Sequence, residues 1–244
     1  MVEKLTLETV KDWIPTIKRK AHELQYTVKD PTEEELKKFV ETFNRRFILH
    51  CREREIADIY RKHASEILLG LMIAKEQMDM QFDGDNPKAG TFGVTTPHAG
   101  FFGEDDWAKS VTGGTTNNII HAGNTHIGGT AGDPVKIPKG VVHVIIGYGN
   151  YSPSPLSTLI QETINGASKP SINTDFGWRA SDLQIVELGE ARILKYNSTY
   201  KLIAFSPTSG TDEIYVIGAT FLAEDLMRIN DPANMAGSDK IVTS

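Results

Sequence analysis

The feature that most constrains this chain is an abrupt change of character near residue 82. Residues 1–82 carry 15 Lys+Arg against 15 Asp+Glu, with Gly70 the single glycine. Residues 83–244 carry 11 against 17, so they hold the whole net charge of −6, together with the other 20 glycines. A neutral, charge-dense, glycine-poor stretch followed by a charge-sparse, glycine-rich one requires two regions built on different secondary structure.

The first region reads as helix. Leu7, Val10, Trp13, Ile14 and Ile17 follow a three-to-four spacing that Pro15 is expected to break into two pieces. Asp30-Pro31-Thr32-Glu33 is a helix start, with Asp30 as cap, Pro31 in the first turn and Glu33 at the capping-box position. From Leu36 through Phe39, Phe43, Phe47, Ile56, Ile59, Ile67, Leu68 and Met72 the helical period continues, with charges on the other faces. Unbroken, residues 31–80 would span ~75 Å. Such a stripe needs a partner, either the chain's own C-terminal part or another subunit.

Residues 83–138 are rich in Gly, Thr and Asn and show no sustained period. Loops beyond ~15 residues inside compact domains usually bind or link. Phe92, Phe101, Phe102, Trp107, Ile119 and Ile120 need burial, which leads us to expect an extended arm, anchored by aromatics, packing across a neighbouring subunit. From Val135 the signals are β. Val141–Tyr148 is an apolar run, Leu183–Leu188 and Ala191–Tyr196 flank Gly189-Glu190, and Tyr200–Phe205 and Glu213–Leu222 flank a turn-rich connection. Close strands without intervening helices predict an antiparallel sandwich, most economically a jelly roll. The expected layout is therefore α+β: a helical region over 1–82, an extended arm over 83–138, an antiparallel β domain over 139–230 and a polar tail over 231–244.

Composition removes several classes. Cys51 is the only cysteine, so no intrachain disulfide and no cysteine-based zinc cage can form. MVEKLTLETV lacks a basic leader before an apolar run, so no secretory signal is expected. No stretch approaches ~18 consecutive apolar residues, and no membrane partner is expected. Cys51 lies in a charged helical stretch where His50, adjacent in sequence, diverges from it and cannot readily activate it. No phosphate-cradling or nucleophile-elbow motif is present. Asp83 and Asp85 lack EF-hand spacing. Lys18-Arg19-Lys20, Arg45-Arg46 and Arg52-x-Arg54 are interleaved with glutamates, as on a solvated helix surface; any nucleic-acid contact would be non-specific.

Four histidines, His98, His121, His126 and His143, lie in or beside the glycine-rich segment. The string Gly132-Asp-Pro-Val-Lys-Ile-Pro-Lys-Gly-Val-Val-His143 resembles the second conserved motif of cupins, where a glycine and a Pro-x-Gly turn precede a metal-binding histidine. The departures are that no His-x-His occurs anywhere in the chain, and Gly147 stands where that motif usually ends in asparagine. In layout and in the texture of IPKGVVHVIIGYGNYSPSPLSTLI and ILKYNSTYKLIAFSPTSGTDEIYVIGATFL, the chain resembles virion structural proteins of tailed phages and archaeal viruses. That resemblance implies a self-assembling capsid, decoration or tail component, found in the virion, with copies of itself and other virion proteins as partners. The helical stripe and Phe101, Phe102 and Trp107 would carry the interfaces. No catalytic, cofactor-binding or metal-ligating residue is assigned and no cofactor is expected. The alternative is a cupin-like jelly-roll metalloenzyme or small-ligand binder using His143.

Overall fold

The computed structural model describes residues 3–49, 51, 53–81, 92–102, 104, 106–122, 130, 132–138, 140–175, 178, 184–223 and 239–242. Among these the chain is α+β, with four N-terminal helices followed by two antiparallel sheets.

Helix α1 (Leu7–Glu23) is capped by Thr6, whose hydroxyl accepts from the Thr9 N–H at 3.2 Å. It runs through Pro15 without a break. Proline removes one bond, to the carbonyl of Lys11, and both residues are exposed, so water can satisfy the freed oxygen. Helix α2 (Glu33–Phe43) starts two residues later than expected: Thr32 is the cap, with Glu35 completing the reciprocal capping box. The same Glu35 takes a 2.5 Å contact from Lys75 of α4 (Ala64–Gln81), so one carboxylate closes α2 and ties two helices together. A π-helical stretch (Asn44–Leu49) and α3 (Arg54–Lys62) complete the layer, so the 31–80 stripe is folded back on itself rather than extended. Phe39, Phe43, Phe47 and Tyr60 form a ladder of neighbouring rings at 4.5–5.7 Å inside it.

The first sheet has the order β12-β1-β11-β5-β9, with β2 also on β11. Its strands are β1 (Phe92–Thr95), β2 (Ala108–Val111), β5 (Val141–Asn150), β9 (Ile185–Leu194), β11 (Gly210–Ala223) and β12 (Asp239–Val242). The second has the order β3-β10-β6-β7, with β4 on β10 and β8 on β6. It comprises β3 (Thr115–Ile120), β4 (Val135–Lys136), β6 (Leu159–Ile164), β7 (Ala167–Ser168), β8 (Ile172–Asn173) and β10 (Thr199–Ser206). Taking β1, β3, β5, β6, β7, β9, β10 and β11 as the principal strands in chain order, the two sheets read first-eighth-third-sixth and second-seventh-fourth-fifth. That is the strand order of a jelly roll.

Part of the segment expected as an arm is thus built into the sandwich. β1, β2, β3 and β4 all fall within 83–138; residues 82–91 and 123–129 lie outside the described residues. The strands are short and polar on one side, with Thr115, Thr116 and Asn118 exposed and Ile119 and Ile120 buried, so they carry little of the apolar alternation that marks a strand in sequence. Phe102, expected at a subunit interface, is fully buried between the sheets, and Phe101 and Trp107 are half-buried beside that core.

The central strands explain the layering. Every residue of β5 is buried. Val142, Val144 and Ile146 face the helices, together with Ile217, Ala219 and Phe221 of β11. Val141 and Ile145 face the second sheet, with Val216 and Leu222. The helical stripe that needed a partner finds it here. Close seating of α4 requires Gly70, because a Cβ there would lie 2.3 Å from Val144 Cγ2. A register shift at Ile145/Gly147 turns Tyr148 back between the sheets. Its hydroxyl donates to Glu162 Oε1 at 2.5 Å and meets the Tyr200 hydroxyl at 2.6 Å, while Arg192 Nε donates to Glu162 Oε2 at 2.9 Å. Two residues from each sheet therefore close a polar lock around a fully buried carboxylate, and burial pushes the pKa of both tyrosines well up.

Phe102→Ala is expected to lower stability by ~3–5 kcal/mol, since it empties a ring-sized volume between two sheets. Urea unfolding measures this; a loss below ~1 kcal/mol would place Phe102 outside the core.

Candidate functional site

Among the described residues, charged side chains converge around open space where the helical layer meets the outer edge of β9. α3 ends at Lys62, and His63 forms the joint: its carbonyl accepts from the Glu66 and Ile67 N–H groups at 3.0 Å, starting α4. Glu66 follows one turn later on the same face. From α1 come Trp13, Ile17 and Lys20. β9 supplies the rest through a bulge. Its register on β5 jumps from Glu187 opposite Gly147 to Arg192 opposite Ile145; within the bulge Leu188 turns into the core between the sheets, while Glu190 and the Ala191 N–H meet the helices. Between these elements is a cavity of about 430 Å³, within the range of small-ligand clefts. A second cavity, of about 490 Å³, shares Lys62 and Glu187 with it.

The charges are paired across the layers. His63 Nδ1 contacts Glu66 Oε2, and Nε2 lies 3.3 Å from Glu187 Oε1. Lys62 Nζ is 2.8 Å from Glu187 Oε2, while Lys20 Nζ is 3.0 Å from Glu66 Oε1 and 3.3 Å from Glu190 Oε1. Glu66 Oε1 also accepts from the Ala191 N–H at 3.3 Å. Burial opposes charge on His63, but Glu66 and Glu187 outweigh it and raise its pKa above the usual histidine value. Burial likewise opposes the Glu66 charge, and His63 and Lys20 outweigh it, holding the carboxyl at about 2. The arrangement can hold and release a proton at His63.

The sequence-predicted histidines are elsewhere. His143 lies fully buried on β5, its Nδ1 2.8 Å from Thr220 Oγ1 and its ring stacked on Phe102 at 4.3 Å. Burial pushes its pKa down to about 3 against a smaller opposing pull from the Phe101 backbone, so the ring is neutral at pH 7. His121 Nδ1 accepts from the Gly132 N–H at 3.1 Å, and His98 is exposed, its ring edge-on to Phe101 at 6.0 Å. His126 lies outside the described residues, as do His50, Arg52, Asp83 and Asp85. Among the described residues no three His, Cys, Asp or Glu side chains come together as a metal cage. Cys51 Sγ donates to the Glu53 carbonyl at 3.3 Å, and burial raises its pKa, which leaves it a poor nucleophile. In the basic cluster, Lys18 is paired with Asp30 at 2.8 Å and Arg54 with Asp58 at 3.9 Å. No helix among the described residues is long and apolar enough to cross a membrane.

The His63–Glu66 spacing is visible in sequence, but its partners on α1 and β9 are brought in only by the fold. No protein-family model matches this chain, and no curated protein matches it. The site stands on its geometry alone.

His143 is expected to stay neutral from about pH 8 down to about pH 4, because protonation must occur inside a sealed apolar wall. Its folded-state pKa lies below the unfolded value of about 6.5, so it costs stability progressively as pH falls from there toward 3. NMR titration of the ring reads this directly; a midpoint near 6.5 would mean that the wall opens to water.

Proposed function

We propose that the chain is a self-assembling structural protein, a capsid, decoration or tail component of a virion. It acts through contacts with copies of itself and with other virion proteins, without turnover. The observation that carries the reading is the jelly-roll strand order with a whole helical region spent on covering one sheet; viral capsid domains are among those built on jelly rolls. Fold alone hosts other functions, and the supporting detail is what the interior contains. Phe102, Tyr148, Tyr200 and Trp178 fill the space between the sheets, where a ligand-binding jelly roll would keep a chamber. The apolar side chains left for contacts between copies include Leu49, Tyr151, Leu159 and Phe205, the last two directly opposite each other on the second sheet. Nucleic-acid contact on this reading is through phosphates only, and the paired lysines of the helical surface keep it weak.

The cupin-like alternative has one observation in its favour: His143 points between the sheets, as a metal ligand there would. Around the ring, Thr220 offers one hydroxyl, Phe102 a ring face and Phe101 its backbone.

Absolute mass by light scattering at low and high protein concentration tests the proposal. Closed multiples of 27.0 kDa, or large particles, are expected. A strict monomer at both concentrations overturns it, and metal uptake lost in His143→Ala would then favour the alternative.

A further inference from the structure

An unpaired edge strand is a ready template for another chain, and folds usually cover it. Among the described residues, the strand that pairs with β9 is β5, on one side. On its other side the cover consists of side chains from the helical layer: Glu66 accepts from the Ala191 N–H, and the Tyr26 hydroxyl lies 3.5 Å from the Ile193 carbonyl. The part of that cover made by Glu66 depends on charge balance. Facing one another around His63 are Lys62 of α3, Glu66 of α4, Lys20 of α1, and Glu187 and Glu190 of β9. With His63 protonated, three cations meet three carboxylates. With it neutral, two cations meet three, and the ring keeps a single N–H, so it can no longer donate to Glu66 and Glu187 together. The adjoining cavity of about 430 Å³ gives these side chains room to part without disturbing the core beneath.

We propose that His63 is a proton-operated latch, which when protonated holds the helical layer on the bulge of β9 through Glu66 and Glu187, and on deprotonation bares that stretch of the strand's outer edge. The latch is independent of the virion reading. Its direction follows from the two pKa shifts. His63 titrates above its ordinary 6.5, so its contribution is complete below that value and is lost as pH rises through the folded-state pKa. Glu66 titrates at about 2 instead of 4.5, so its contribution is present above 4.5 and is lost only in strong acid. Opening therefore lies on the alkaline side.

The test is amide hydrogen exchange on the full chain at about pH 5.5 and about pH 8.5, corrected for intrinsic base catalysis, with the His63 ring titrated by NMR. Protection of the Ala191 amide is expected to fall about tenfold between the two. Amides of β5 should not change. In His63→Gln, Ala191 is expected to show the low protection at both pH values. In Glu187→Gln, which alters a partly exposed residue, the His63 midpoint should drop toward 6.5. A wild-type midpoint at or below 6.5 overturns the latch, as does equal Ala191 protection at both pH values, or pH-dependent loss that persists in His63→Gln.

Discussion

The structure depends on a single constraint: the central strands of the first sheet are apolar on both faces. β5 buries all ten of its residues, and β11 buries eleven of its fourteen. A sheet with two apolar faces has to be covered twice, because each exposed Val, Ile or Phe forgoes ~1.5–3 kcal/mol of burial. One cover is the helical layer, seated closely enough that Gly70 has no room for a Cβ. The other is the second sheet. The helices are therefore a layer of the same body as the strands, and the division near residue 82 separates kinds of secondary structure rather than independent cores.

Polar groups then fix which arrangement of the layers is adopted. Between the sheets, the Tyr148–Glu162–Tyr200–Arg192 lock is satisfied only in one register, and a slip of one residue would bury Glu162 unpaired. Between the helices and the first sheet, the ion network around His63 takes the same role at the edge, and the Tyr60 hydroxyl donates to the Gly218 carbonyl at 2.8 Å deeper in. The two devices differ in access to water. Glu162 is fully buried between the sheets, whereas His63 borders a cavity.

Much of this was legible in the sequence. The α+β order, the helix start near Thr32 and the strands Val141–Tyr148, Tyr200–Phe205 and Glu213–Leu222 all follow from period and turn residues. Gly189-Glu190 looks like a hairpin turn in sequence because it interrupts two apolar runs, yet it is a bulge within a single strand, since both runs pair with β5. β1 to β3 escaped notice because four to six residues rich in small and polar types show no alternation, and Phe102 looked like an anchor because its neighbours are loop-like. The site around His63 was hidden for a different reason. His63 and Glu66 are local, but Lys20 and Glu187 reach them only when the helical layer docks on β9, and no local pattern encodes that meeting.

The shared first sheet is best tested by native-state hydrogen exchange in rising denaturant, comparing Leu68 and Leu71 of α4 with Val142 and Val144 of β5. If one sheet serves two cores, these amides converge on the same opening free energy and denaturant dependence. Should the α4 amides exchange through a separate, lower-energy opening while β5 stays protected, the helices form an independent unit, and the layered account of this fold is wrong.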